Sequence, residues 1–423
     1  MTDPSRPTKP LKILTLDGGG LQAISTLTIL NKVLERIAEE HGISGNRKLR
    51  PCDVFDTIAG IGAGGWLAIP LGRFRLDINS CLSEWYNLME SIAPKSKTEE
   101  LRLRLLRHCY FDTERLVEQV EFLTQVYGTG DRLFEPDAED ARTSHVFVAA
   151  LASDARSYNL FRSYEIPTSA KLPTKLLKGP ENPSSFKISR AFGVTGAAKY
   201  FTEPWEEQMA SSGKVRFSDT KFPEPHNITE LALDEMWGIY GTDVPLSVVI
   251  NVGPGLPNDV DVKQIAQRFS WRSSPSLAQQ AASTKRARSP TVLIAKSNNV
   301  EHDVKRGSVR FHEDTEEQNS TIEPVIEGEW NRADARTSTL GSIQAGEDAI
   351  ESDIKKKLNN IHPGNAGLYY RLAPTRAPQG TSRNDSSASG VVLDATLGYL
   401  NEPHVDAAIN EIVKRILEVV SNC

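Results

Sequence analysis

Two stretches of this 423-residue chain determine its predicted fold: Leu11–Gly20, LKILTLDGGG, and Val54–Gly65, VFDTIAGIGAGG. Each begins with a short apolar run typical of a buried β-strand, at 11–16 and at 54–59, and ends in glycines. A helix is predicted after each glycine cluster, with apolar residues at helical spacing from Leu27 to Ile37 in the first case and a start at Trp66 in the second. Two such units predict an α/β fold whose central, mainly parallel sheet binds ligands at the carboxyl ends of its strands.

The rest of the chain continues this alternation to about residue 253. We predict one domain over residues 11–423, a flexible tail over residues 1–10, and a polar insertion over residues 257–346, which is rich in Ser, Asn, Gln and charge. Further strands are predicted at 146–151, 215–217, 246–252 and 368–372. Further helices are predicted around 82–89, 116–126, 186–197, 229–240 and 404–420, with a polar loop at 379–390.

Composition and charge argue against several classes of protein. The chain carries 49 Lys and Arg against 55 Asp and Glu, a net charge of −6, which does not suit a nucleic-acid-binding protein. Its four cysteines fit neither a disulfide framework nor a zinc site, so we expect a reducing compartment and no cofactor or metal. No run approaches the ~18 apolar residues of a membrane span. We therefore expect a cytoplasmic protein.

Both glycine clusters follow a strand and precede a helix, and this position suggests chemistry. Around Gly18, Gly19 and Gly20, backbone N–H groups without side-chain cover would meet at a helix N-terminus, which suits an anion or a developing oxyanion. The second cluster has the context of the nucleophile elbow GxSxG, in which a serine hydroxyl is exposed above the sheet. Here the residue between the two glycines of that motif is Gly62.

The segments Asp17–Ala23, DGGGLQA, and Phe55–Gly65, FDTIAGIGAGG, resemble the patatin-like phospholipases, especially fungal members. The resemblance runs over most of residues 11–255. It implies a three-layer fold related to the α/β-hydrolases and a lipid acyl hydrolase. In that family a serine in the elbow attacks the ester carbonyl, a later aspartate activates the serine, and the triple-glycine loop holds the oxyanion.

Carried over residue by residue, the resemblance keeps the oxyanion loop at Gly18, Gly19 and Gly20 and replaces the serine with Gly62. The aspartate of the dyad corresponds to Asp219.

Other positions of the family's motifs are altered as well. Thr220 and Lys221 stand where glycines usually follow the aspartate, and Gln22 and Ala23 stand where the family has arginine and glycine.

A glycine at position 62 removes the covalent mechanism, because it has no oxygen with which to form an acyl-enzyme. In a serine hydrolase, loss of the nucleophile lowers turnover by roughly a millionfold. We therefore predict a degenerate family member that binds a lipid or another hydrophobic small molecule, or that catalyses a non-hydrolytic reaction needing a polarised carbonyl. Peripheral contact with a membrane is expected, and nucleic acid is not.

Two alternatives stay open at this point. The first alternative is an active acyl-ester hydrolase that uses water with Asp219 as general base. The second is an interaction module.

Overall fold

A sheet of seven strands, in the order β5-β4-β3-β2-β1-β8-β9, forms the centre of the part of the chain described by the computed structural model. Strands β3, β2, β1, β8 and β9 run parallel to one another, whereas β4 pairs antiparallel with β3, and β5 pairs parallel with β4. The prediction of an α/β fold with a mainly parallel sheet is confirmed. The strands are β1 (Leu11–Leu16), β2 (Thr57–Ile61), β3 (His145–Leu151), β4 (Tyr158–Arg162), β5 (Leu176–Leu177), β6 (Trp205–Met209), β7 (Gly213–Phe217), β8 (Leu246–Val252) and β9 (Tyr369–Leu372).

The helices of the described residues connect and cover these strands. They are α1 (Ala23–Glu40), α2 (Pro51–Val54), α3 (Ala63–Ala68), α4 (Ile78–Ile92), α5 (Lys97–Arg102), α6 (Thr113–Tyr127), α7 (Ile188–Gly196), α8 (Ile228–Tyr240), α9 (Ala333–Ile361), α10 (Ala388–Leu400) and α11 (Pro403–Ser421). Two of them continue as π-helical turns, α3 through Ile69–Arg73 and α5 through Leu103–Arg107.

The structure describes most of the chain outside its long polar segment. The described residues are 7, 9–18, 23–43, 48–127, 130–134, 144–153, 158–173, 176–177, 179–180, 182–198, 201–209, 213–218, 226–253, 255, 333–374 and 388–421. The described residues between 7 and 255 and between 339 and 421 belong to one compact unit. The proposed insertion at 257–346 lies largely outside the described residues, so its bounds stay a prediction.

Alternation along the strands places the core on both faces of the sheet, since successive side chains point to opposite sides. In β1, Leu14 and Leu16 join the larger cluster, which α1, α3, α4, α6, α7 and α11 cover, while Leu11 and Ile13 join a smaller cluster under α8 and α9. The result is a helix-sheet-helix sandwich. Because β1 lies inside the sheet between β2 and β8, it is buried on both faces.

Four predicted elements differ from the structure. The strand expected at 54–59 begins later, at Thr57, because Pro51–Val54 forms a short helix with Pro51 at its first position. The strand expected at 215–217 belongs to a separate hairpin of β6 and β7, not to the central sheet. The helix Ala333–Ile361 overlaps the proposed insertion, and Ala388–Leu400 begins inside the proposed polar loop. None of the helices described here is long and apolar enough to cross a bilayer.

A buried ion pair fixes the antiparallel strand β4 to α8. The guanidinium of Arg162 holds the carboxylate of Glu235 through two hydrogen bonds, one of them 2.8 Å between Nη2 and Oε2. The Tyr164 hydroxyl donates to the same carboxylate at 2.9 Å. The two charged side chains are 5% and 0% exposed. Burial alone would lower the pKa of Arg162, but Glu235 outweighs that effect and raises it.

Removing one partner of this pair is expected to destabilise the fold. Glu235→Ala leaves a buried guanidinium without a counter-charge, which costs about 3–5 kcal/mol in the free energy of unfolding. Arg162→Met combined with Glu235→Leu removes both charges, so this variant should recover most of the loss. Urea unfolding followed by circular dichroism measures both values, and equal losses in the two variants would contradict the assignment.

Candidate functional site

The chain turns sharply at Gly62, between the end of β2 and the start of α3. Gly62 is the N-cap of α3 and has φ 57° and ψ −128°. This backbone conformation is strained for residues with a side chain and is typical of functional turns. Its N–H is 3.1 Å from a side-chain oxygen on α7, and its carbonyl accepts the first helical hydrogen bond from Trp66 at 3.1 Å. The strand-turn-helix geometry of an elbow is therefore present.

Two other glycines allow α3 to begin directly against the ends of β1 and β2. A Cβ placed on Gly64 would lie 2.1 Å from the carbonyl oxygen of Leu16, and one on Gly60 would lie 2.2 Å from the carbonyl oxygen of Gly64. Real Cβ atoms do not approach backbone oxygens this closely. Only glycine fits at these two positions, and the first turn of α3 consequently lies over the carboxyl end of β1.

The first glycine of the triple-glycine stretch lies next to the elbow. A Cβ on Gly62 would meet the Cα of Gly18 at 3.5 Å, an ordinary van der Waals contact, and no other described atom within 4 Å apart from its chain neighbours. The position therefore has room for a side chain that the sequence does not supply. The other predicted site residues, Gly19, Gly20 and Asp219, lie outside the described residues, and their roles stay predictions.

Thr195 on α7 supports the elbow from the helix side, and the sequence predicted no role for it. Its hydroxyl accepts the hydrogen bond from Gly62 N–H and donates to the carbonyl of Ala149 at 2.7 Å. A Cβ on Gly65 would collide with the same hydroxyl at 2.6 Å. Because Thr195 is 4% exposed and its proton is engaged by Ala149, it supports the turn and does not present a nucleophile.

The side chain of Trp66 is buried in the core beside α7. Its indole N–H donates to the carbonyl of Phe192 at 2.9 Å, and its ring lies 6.1 Å from the Phe192 ring and 6.2 Å from the Trp85 ring. A Cβ on Gly196 would lie 2.4 Å from the Trp66 ring, so α7 packs closely on this side chain.

A polar network fixes the end of β1 on the other side of the turn. Asp17 accepts a hydrogen bond from the side-chain amide of Asn251 at 2.9 Å and forms an ion pair with Arg371 at 2.7 Å. The Arg371 guanidinium also donates to the Asn251 side-chain oxygen. Asn251 in turn donates to the hydroxyl of Thr15 at 3.1 Å. Three neighbouring strands, β1, β8 and β9, are thereby linked at their carboxyl ends.

A second carboxylate completes this network. Glu347 on α9 pairs with Arg371 at 3.1 Å. Burial alone would lower the pKa of Arg371, but Asp17 and Glu347 outweigh it and raise the pKa above the ordinary arginine value. Burial raises the pKa of Glu347, although Arg371 opposes the shift. The carboxylates of Asp17 and Glu347 both pair with Arg371. The network therefore has a structural role and fixes Asp17, the residue immediately before the three glycines.

The arrangement suits carbonyl or anion binding better than nucleophilic attack. The N–H groups of Ala63, Gly64 and Gly65 lie in the first turn of α3, where a helix has no internal acceptors for them. They are accompanied by the positive end of the peptide dipoles. Among the described residues, no three His, Cys, Asp or Glu side chains come together as metal ligands.

Two curated proteins resemble a short stretch of this chain. Over 91 residues, 21% of the chain, it is 37% identical to "Patatin-like phospholipase 1" of Plasmodium falciparum (isolate NF54). Over 91 residues it is 35% identical to "Phospholipase A I" of Arabidopsis thaliana. The matches span 13% and 6% of the relatives' own lengths, so the chain covers only a small part of either. No family model matches the chain.

The elbow geometry predicts losses of stability of different size for alanine at Gly62 and at Gly64. Gly62→Ala has room for its methyl group and carries only the strain of a positive φ, so we expect a loss of about 1–2 kcal/mol. Gly64→Ala places a methyl group into the Leu16 carbonyl, and a loss above about 4 kcal/mol or failure to fold is expected. Thermal unfolding distinguishes them, and similar melting temperatures for the two variants would show that the close approach is wrong.

Proposed function

We propose that this protein is a patatin-like acyl-binding protein that lacks serine-hydrolase activity. The similarity of a 91-residue stretch to two phospholipases supports a relation to the lipid acyl hydrolases. The observation that carries the proposal is the elbow at Gly62, which has the backbone of a nucleophile turn and no hydroxyl. Without a nucleophile the acyl-enzyme of the family's reaction does not form.

The ligand class follows from what the turn offers. The backbone N–H groups of the first turn of α3 suit a carboxylate or an ester carbonyl, since they attract negative charge. The space above Gly62 is wider than in a serine-bearing elbow by one hydroxymethyl group. The apolar part of the ligand is proposed from the two relatives, both named as phospholipases. A fatty acid or fatty acyl ester combines these two requirements, a polar head and an apolar chain.

A second candidate is an acyl-ester hydrolase that activates water with Asp219 as general base. The names of the two relatives, both phospholipases, favour it. Oxyanion stabilisation without a nucleophile supplies roughly 10³-fold over water in serine hydrolases, so weak turnover is chemically reasonable.

We expect the purified protein to be inert towards p-nitrophenyl esters and phospholipids and to remain unlabelled by a fluorophosphonate probe. We also expect Gly62→Ser alone to stay inactive, because Thr220 and Lys221 follow Asp219 where the family has glycines. Rapid labelling of the wild-type protein would overturn the proposal. Ester turnover that disappears in Asp219→Asn would instead establish the second candidate, and a highly active Gly62→Ser would contradict the reasoning about Thr220 and Lys221.

Acyl binding is tested by filling the elbow. Gly62→Phe introduces a large ring into the space above the turn and is expected to weaken binding of a fluorescent fatty acid at least tenfold. Gly62→Ala carries the same backbone strain with little added volume, so it is the matched control and should bind within about threefold of wild type. Fluorescence titration measures both affinities. Equal affinities for Gly62→Phe and wild type would place the ligand elsewhere.

A further inference from the structure

Exposed large apolar side chains form three groups in the described part of the chain. Leu101, Leu105 and Leu106 follow one another along α5 and the π-helical turn after it, and they are 56%, 55% and 72% exposed. The other two groups are Phe122 with Val126 on α6, and Leu393 with Leu397 on α10.

Charge distinguishes the first group from the other two. Between residues 95 and 108 the sequence has five Lys and Arg against two Glu, in a chain whose net charge is −6. Lys97 and Arg102 are exposed, and neither forms an ion pair with any described carboxylate. The α6 pair follows Glu118 and Glu121 instead, and the α10 pair flanks Asp394. Apolar side chains interleaved with cations are typical of segments that lie in a lipid interface.

The three leucines project from a well-anchored segment, which we call the leucine ridge (Leu101–Arg107). Leu103, within it, is 3% exposed and fastens the ridge to the core. His108 ends it in the left-handed conformation with φ 53°. Arg107 is held by Glu114 at 3.0 Å and by Glu203 at 3.5 Å. The leucines are therefore presented to solvent by a segment that is held at Leu103 and at Arg107.

Hydrogen bonds connect the leucine ridge to the residues that follow α7. The N–H of Cys109 donates to the carbonyl of Leu103 at 3.4 Å. The next two N–H groups, of Tyr110 and Phe111, both donate to the carbonyl of Phe201, at 3.2 and 2.8 Å.

The same segment reaches the elbow. The hydroxyl of Thr202 donates to the carbonyl of Gly196 at 2.6 Å. Gly196 follows Thr195, which holds the N–H of Gly62. The leucine ridge is thus joined to the turn at Gly62 through one connected segment.

We propose that the leucine ridge docks the protein on an anionic membrane surface, with Leu101, Leu105 and Leu106 inserted among the acyl chains and with Lys97 and Arg102 at the headgroups. Docking on a membrane would bring the protein to a source of acyl ligand, which extends the acyl-binding function proposed above. The docking itself does not require a ligand at Gly62, so it is measured separately.

The test is cosedimentation with sucrose-loaded vesicles of phosphatidylcholine, with and without phosphatidylserine. We expect wild-type protein to bind vesicles that contain phosphatidylserine at least tenfold more tightly than vesicles of phosphatidylcholine alone. High salt should remove this preference. Combined Leu101→Ser, Leu105→Ser and Leu106→Ser should weaken binding at least tenfold, because inserted apolar surface drives it. Combined Lys97→Glu and Arg102→Glu should remove the preference for phosphatidylserine.

Two controls separate this proposal from the alternatives. Phe122→Ser with Val126→Ser removes comparably exposed apolar surface from an acidic helix and should bind vesicles like wild type. The triple leucine variant should still bind the fluorescent fatty acid within about threefold of wild type, so that a failure of docking and a failure of acyl binding are distinguishable. The proposal would be overturned if wild-type protein did not bind vesicles, or if the leucine variants bound them as well as wild type. A dimer in sedimentation velocity that the leucine substitutions dissociate would also overturn it, since the surface would then join two copies.

Discussion

The close approach of two backbone segments, the end of β1 and the start of α3, is the constraint on which the site depends. Leu16 and Gly64 meet without room for any side chain at position 64, and Gly60 meets Gly64 in the same way. A larger residue at either place would push α3 away from the sheet. The backbone N–H groups of the first turn of α3 would then no longer lie over the carboxyl end of β1.

Around this contact the protein combines a rigid frame with a missing functional group. Thr195 holds the elbow from α7, and the Asp17, Asn251 and Arg371 network holds the end of β1 from the other side. Buried hydrogen-bonded groups of this kind maintain a unique geometry when all of their members are paired. The geometry that would position a nucleophile is therefore present around a residue that has no side chain. The acyl binding proposed above needs the shape and polarity of this turn but no hydroxyl at position 62.

The leucine ridge is connected by hydrogen bonds to the part of the chain that supports the elbow. The same residues after α7 that contact the ridge continue from the helix that supports the elbow. Membrane docking and acyl binding would then act at adjoining parts of one structure. Membrane docking suits a protein whose ligand is poorly soluble in water, because such a ligand is concentrated in the bilayer.

The sequence alone determined the strand-glycine-helix units, since apolar runs ending in glycine have few other solutions. Strand β1 was predicted at its observed bounds, and β8 likewise, because buried strands of a parallel sheet are continuous apolar runs. The absence of a hydroxyl at Gly62 also follows directly from the sequence. Local pattern failed where polar composition concealed a helix, as at Ala333–Ile361, and where Pro51 began a short helix in front of β2.

Only the tertiary structure decided which distant residues support the elbow. Thr195 lies 133 residues from Gly62, and Arg371 lies 354 residues from Asp17. Neither carries a motif, because each acts through a position in space that depends on how helices and strands pack. The glycines of the turn could be identified from the sequence, because the requirement for a residue without a side chain is a local one. The residues that contact the turn are determined by the surrounding fold.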